Sequence, residues 1–205
     1  VHPLASDAVS YITQRTELMF AWALLSTLYC AIRAAESNRA GWSLAAALAC
    51  ATGMASKETM VVTPLLVVAY DWVFQPGTWA EIARRCWRLW CGLAVTWGVL
   101  AAMVLTAPRG ASAGWGTEVP PLTYLWNQAV LVARYARLAV WPTGLVLHYG
   151  EPRPLGFGDV WPWVVVMGAV VAAAVVGTVR RSKVAFLGLW AVAILAPTSS
   201  VMPIA

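Results

Sequence analysis

Charge is scarce in this sequence. Of 205 residues only 11% are Asp, Glu, Lys or Arg, where an ordinary soluble domain carries about 25%. Histidine occurs twice and cysteine four times. No CxxC pair is present, so a zinc site or a disulfide framework has no spacing to rest on. There is no GxGxxG, no Walker loop, no HExxH and no GxSxG. Dinucleotide binding, nucleotide hydrolysis, zinc proteolysis and serine hydrolysis therefore lack their motifs. No period of about 34 residues marks a helical repeat within the chain. The low charge and high apolar content also exclude a disordered chain, a nucleic-acid-binding domain and an ordinary water-soluble enzyme.

What is abundant is apolar surface. Hydrophobic residues make up 60% of the chain, and the mean hydropathy is +0.69. This composition implies an integral membrane protein. A bilayer core about 30 Å thick needs roughly 20 apolar residues in a helix. Six segments approach that: Leu18–Ala35, Trp42–Ser56, Thr59–Phe74, Trp87–Ala107, Val160–Val179 and Val184 to about Ala196. The expected fold is all-α: a polytopic transmembrane helix bundle of about six spans plus an interfacial amphipathic helix. Cys30, Cys50, Cys86 and Cys91 lie in or beside these runs and read as small membrane-buried residues. Trp22, Trp42, Trp72, Trp79, Trp87, Trp126, Trp141, Trp161 and Trp163 lie near the expected interfaces, where indole is favourable.

The net charge of +5 reports topology. Arg84, Arg85 and Arg88 form one basic cluster, and Arg180, Arg181 and Lys183 another. Both should be cytoplasmic, together with Arg33 and Arg39. The stretches 1–17, Lys57-Glu58, 108–122 and 197–205 then face out. Parity forbids Thr123–Trp141 a single crossing. Asn127, Gln128, Arg134 and Arg137 fall near one helical face, while Leu125, Val130, Leu131, Leu138 and Val140 fill much of the rest. It is expected as an amphipathic helix in the interface. A full span there would bury two arginines at about 2.5–3.5 kcal/mol each.

The candidate chemistry gathers on the outer face. If 7–17 is helical, Asp7, Tyr11 and Arg15 share a face. A carboxylate and a guanidinium at the membrane surface suit a phosphate-bearing ligand. The plainer alternative is a helix start capped by Ser6 or Asp7, with Arg15 and Glu17 as an ion pair. Lys57 and Glu58 form a second pair at a helix-to-helix tip, which by itself serves to solvate a turn. His148 and Tyr149 lie in the loop after the interfacial helix, where a lone His is commonly incidental. Asp71 is expected to cap its helix or to pair with the arginine cluster.

Several stretches, in order, resemble the transmembrane and tetratricopeptide-repeat family of the glycosyltransferase C superfamily, relatives of the protein O-mannosyltransferases. His2-Pro3-x-x-x-Asp7-Ala8-Val9 followed by Arg15-x-Glu17-Leu18 is similar to that family's HP…(E/D)AV…RxEL segment. Lys57-Glu58, Pro64 and Tyr70-Asp71 look like its KE…P…YD segment. Tyr135-x-Arg137-Leu138-x-x-Trp141-Pro142 leading to His148-Tyr149, and Leu195–Ser200, resemble two further stretches. Asp7 stands in place of the commoner Glu, and His148 where many relatives carry Asp.

The resemblance implies that residues 1–205 are part of one glycosyltransferase C-type transmembrane domain. Because the chain starts at Val1 and stops within an apolar segment, it is expected to be a piece of a longer protein. N-terminal spans, the superfamily's first acidic loop and C-terminal repeats would lie outside it. The implied activity moves a sugar, a hexose such as mannose, from a polyprenyl-phosphate donor to a protein or glycan acceptor at the outer face. The setting would be a bacterial inner membrane with the site facing the periplasm. Asp7 would be the catalytic or metal-binding acid. His2, Arg15, Glu17, Lys57, Glu58, His148 and Tyr149 would bind substrate, with Arg15 and Lys57 on phosphate. Implied partners are the lipid-linked sugar donor, the acceptor and membrane lipids, with no nucleic acid. The resemblance fixes no cofactor, and a divalent cation is an option. The competing reading keeps the spans as an inert anchor for a C-terminal repeat scaffold. A lipid-sugar transporter is disfavoured, because the charges lie at the ends of spans and not at mid-membrane.

Overall fold

The computed structural model describes residues 15–106, 127, 130–132, 138, 141 and 157–200. Among them every regular element is helical. The elements are α1 (Arg15–Ser37), α2 (Ala40–Ser56), a 3₁₀ turn (Glu58–Val62), α3 (Thr63–Phe74), α4 (Trp79–Thr106), α5 (Phe157–Val179) and α6 (Lys183–Ser200). Three are long and apolar enough to cross a membrane: α1, α4 and α5. Their 23, 28 and 23 residues correspond to about 35, 42 and 35 Å. The helices Ala40–Ser56 and Lys183–Pro197 are apolar but shorter. Most of the expected interfacial helix at 123–141 lies outside the described residues. Leu138 within it is buried.

Helices α1 and α5 are apolar on their outward as well as their inward faces, unlike a helix of a soluble protein. On α1 the inward face is Phe20, Ala23, Leu24, Thr27, Ala31 and Ala34. The outward face still carries Leu18, Met19, Trp22, Leu25 and Tyr29. On α5 a run of valines from Val164 to Val179 is largely exposed. Water would penalise such surfaces by about 25 cal/mol per Å², whereas lipid does not.

Local chemistry explains where the helices stop. Asn38 takes φ 51°, and its N–H donates to Ala34 O at 2.9 Å, a left-handed C-terminal cap. Two residues then suffice to reverse the chain into α2. Lys57 is extended at φ −154°, which ends α2 and starts the 3₁₀ turn. Pro64 sits in the first turn of α3, where its missing N–H has no partner to lose. The Thr59–Phe74 segment, expected as one span, is thus a 3₁₀ turn followed by a short α-helix.

α4 begins at Trp79, two turns earlier than the apolar run. Thr78 N donates to Glu81 Oε2 at 2.8 Å, and Glu81 N donates to Thr78 O at 3.1 Å. This reciprocal cap starts the helix before the arginines. Gly77 precedes it at φ +111°, where a side chain would be strained. The α5–α6 hairpin turns through Arg181 at φ 61°. Ser182 N donates to Gly177 O at 2.8 Å, and Ser182 Oγ accepts from Ala185 N at 3.3 Å.

The core lies between α1, α2, α3 and α4, with Trp190, Ala193 and Ile194 of α6 against it. Small residues let α1 and α2 approach closely. A Cβ on Gly53 would lie 2.8 Å from Ala23 Cβ and 2.9 Å from the Met60 side chain. This is the close-packed, small-residue contact typical of membrane helices. Cys50 Sγ meets Thr96 Oγ1 at 3.4 Å, which joins α2 to α4. All four cysteines are free thiols; Cys50 and Cys86 are buried, Cys30 is half-buried and Cys91 is exposed on the bundle.

Candidate functional site

The bundle has two chemically different ends. One gathers the C-termini of α1, α3 and α5 and the N-termini of α2, α4 and α6. Eight of the fourteen cationic side chains fall there: Arg33, Arg39, Arg84, Arg85, Arg88, Arg180, Arg181 and Lys183. Arg181 joins the two expected clusters. Its guanidinium stacks 4.0 Å from the Trp72 ring and donates to Gln75 O and Gly77 O. Trp72 Nε1 donates to Val179 O at 3.1 Å, and Arg85 donates to Pro76 O at 3.3 Å. The basic clusters therefore share one end, as the topology argument requires.

Asp71 at this end departs from expectation. It is fully buried and pairs with no arginine among the described residues. Trp90 Nε1 donates to Oδ2 at 2.8 Å, and Gln75 Nε2 donates to Oδ1. Packing of α3 on α4 puts an indole N–H, not a guanidinium, in reach. Arg33 is held by Glu36 at 3.0 Å and lies 5.7 Å from the Trp42 ring.

The opposite end holds the candidate site. Glu17 stands in the first turn of α1 and Lys57 between α2 and the 3₁₀ turn. They form an ion pair, Lys57 Nζ to Glu17 Oε1, across 40 residues of sequence. Lys57 is only 24% exposed and Glu17 41%. The Phe20 ring lies 6.0 Å from Nζ. Glu17 is thus spoken for by Lys57, not by Arg15, and Lys57 by Glu17, not by Glu58. The reason is geometric. The close α1–α2 contact at Gly53 brings the end of α2 beside the start of α1.

Beside the pair opens a hollow of about 220 Å³ between the end of α2 and the far end of α4. Ser56, Lys57 and Glu58 form its polar wall, and Met54, Leu100, Met103 and Val104 its apolar wall. Glu58 is exposed at its rim, and Arg15 is exposed at the start of α1. Thr59, next along the chain, has a buried hydroxyl with no hydrogen-bond partner among the described residues. Trp97 Nε1 donates to Val61 O at 3.0 Å and fastens the 3₁₀ turn to α4.

Of the site residues expected from sequence, Glu17, Lys57 and Glu58 come together here. His2, Asp7, His148 and Tyr149 lie outside the described residues. No group of three or more metal-ligating side chains occurs among the described residues. Sequence reasoning missed the Asp71–Trp90–Gln75 cluster, although the i, i+4 spacing of Asp71 and Gln75 was a usable signal.

Chemically, the Lys57 ammonium has three N–H donors. Glu17 engages one and holds the charge at the mouth of a half-apolar hollow. That arrangement can receive an anionic group attached to a hydrocarbon chain. Comparison with known protein families, with curated proteins and with solved structures returned no match for this chain.

Proposed function

We propose that this chain is the membrane-embedded part of a multi-pass glycosyltransferase that takes a sugar from a polyprenyl-phosphate donor. The basic end lies in the cytoplasm, and the Glu17–Lys57 end faces outward, the periplasm of a bacterium. One observation carries the reading. Glu17 and Lys57 belong to two of the stretches that carry the family resemblance, and they pair in space across 40 residues. A resemblance in sequence order alone does not require that convergence.

The chemistry follows. An acceptor hydroxyl attacks the anomeric carbon, its proton passes to a carboxylate, and the sugar–phosphate C–O bond breaks. The electron pair leaves with the lipid phosphate. Charge grows on that phosphate, and a cation already oriented by a neighbouring carboxylate stabilises it without reorganising. Lys57 is the residue for that task, with Arg15, exposed at the start of the helix that carries Glu17, as the second candidate cation. The apolar wall of Met54, Leu100 and Met103 suits the first isoprene units. Asp7 is the candidate acid for the acceptor or a divalent cation.

The test is transfer from labelled polyprenyl-phosphate hexose in membranes carrying the full-length protein. Wild type should transfer, and Lys57→Ala and Asp7→Ala should each be strongly impaired while inserting normally. Transfer indifferent to both substitutions removes these residues from the chemistry. No transfer by wild type from any hexose donor would favour the inert-anchor reading.

A further inference from the structure

At the basic end a second hollow, of about 330 Å³, opens between the ends of α1 and α3 and the start of α4. Arg85 is one wall, and Ile32, Ala35 and Phe74 supply an apolar floor. Tyr70 stacks on Phe74 with ring centroids 4.5 Å apart. Lys183, at the start of α6, does not line the hollow, but its Nζ lies 5.8 Å from the ring of Phe74, which does. Arg85 spends one N–H on Pro76 O, and its four others have no hydrogen-bond partner among the described residues. Both Arg85 and Lys183 are exposed.

The carboxylates nearby are already answered. Glu36, on the hollow's wall, is held by Arg33 at 3.0 Å. Asp71 is buried under Trp90 and Gln75. Glu81 accepts from Thr78 N. No carboxylate lies within 4 Å of Arg85 or Lys183 among the described residues. Arg85 in the wall and Lys183 near Phe74 therefore make no direct ion pair among the described residues, and the one carboxylate lining the hollow, Glu36, is already paired with Arg33. Trp79 and Trp87 are exposed at the same end, the depth at which indoles meet headgroups.

We propose that this hollow binds the headgroup of an anionic phospholipid of the inner leaflet, with its phosphate between Arg85 and Lys183 and an acyl chain along Ile32 and Phe74. The apolar floor is what favours a lipid over free phosphate. Basic pockets between helices on the cytoplasmic side are a recognised place for such headgroups. The inference rests on the chain lying in a membrane and is independent of glycosyl transfer.

The test uses the purified full chain with phosphatidylglycerol, phosphatidylethanolamine or phosphatidylcholine, read by retained lipid in native mass spectrometry and by thermal stability. Phosphatidylglycerol should be retained and should raise the unfolding temperature. The double variant Arg85→Gln with Lys183→Gln should bind it about tenfold or more weakly, as expected for loss of charged hydrogen bonds. Arg84→Gln with Arg180→Gln removes the same charge away from the hollow and should bind as wild type. Equal weakening in both double variants would mean diffuse electrostatics and overturn the site. Equal retention of the three lipids would overturn it too, as would displacement of phosphatidylglycerol by millimolar inorganic phosphate. Gel filtration checks that each variant is folded, and Lys183→Gln alone, at an exposed position, serves if the double variant is not.

Discussion

The indole N–H of Trp90 donates to Asp71 Oδ2 at 2.8 Å and ties α4 to α3 beneath the arginine clusters. The carboxylate is fully buried, so its partners set its cost. Asp71→Ala leaves Trp90 and Gln75 donors unmatched and should destabilise by about 1–3 kcal/mol. Asp71→Asn keeps an acceptor for Trp90 and should cost less. Thermal unfolding in detergent distinguishes them. An Ala variant as stable as wild type would mean that the carboxylate holds nothing together.

Close packing at Gly53 makes a second test. Ala23 and Met60 leave less than 3.0 Å for a Cβ. Gly53→Leu should destabilise by at least about 1–3 kcal/mol through overpacking. Gly92→Ala, which meets only Ala47 Cβ at 3.6 Å, should be tolerated. The same Gly53 variant should also separate Lys57 from Glu17 and so lower transfer, which a surface glycine such as Gly41 would not.

The Glu17–Lys57 pair can be split into its structural and chemical parts. Both partners are partly exposed, so the pair itself should contribute only about 0.2–1 kcal/mol in a double-mutant cycle. Loss of a charge that stabilises the leaving phosphate should instead lower turnover by about 10²–10³. Exchanging the two residues, Glu17→Lys with Lys57→Glu, should restore stability but not transfer. If the exchanged protein transfers sugar normally, the pair is structural only.

Topology is open to labelling. Single cysteines at Ser37 and at Glu58, in a background without the native four, should react with an impermeant maleimide from opposite sides of the membrane. Ser37 belongs to the basic end and Glu58 to the other. Reaction of both from one side would contradict the proposed crossing of α2.

Arg181 gives a last test. It stacks on Trp72 and meets two carbonyls of the α3–α4 elbow. Arg181→Lys keeps the charge but not the planar fork, so it should recover little of the stability lost in Arg181→Ala. Full rescue by Lys would show that charge alone matters there.

Helix positions were readable because their causes are local. Six apolar runs correspond to six helices, and Asn38 and Gly77 sit at breaks that their own backbone preferences explain, whereas the break ahead of Pro64 falls inside a segment expected as one span. The start of α4 was misjudged because the apolar run was read and the Thr78-x-x-Glu81 cap was not. The shared end of the basic clusters was also legible, since topology constrains whole spans.

Which charges would meet was not legible. Arg15 and Glu17, or Lys57 and Glu58, are neighbours in sequence, and sequence favours neighbours. Tertiary packing chose Glu17 with Lys57, and Trp90 with Asp71. Run length and turn chemistry depend on contacts within about four residues, which a sequence displays directly. Partner choice depends on how closely two helices approach, and here that rests on a glycine at Gly53 facing Ala23 across the α1–α2 contact.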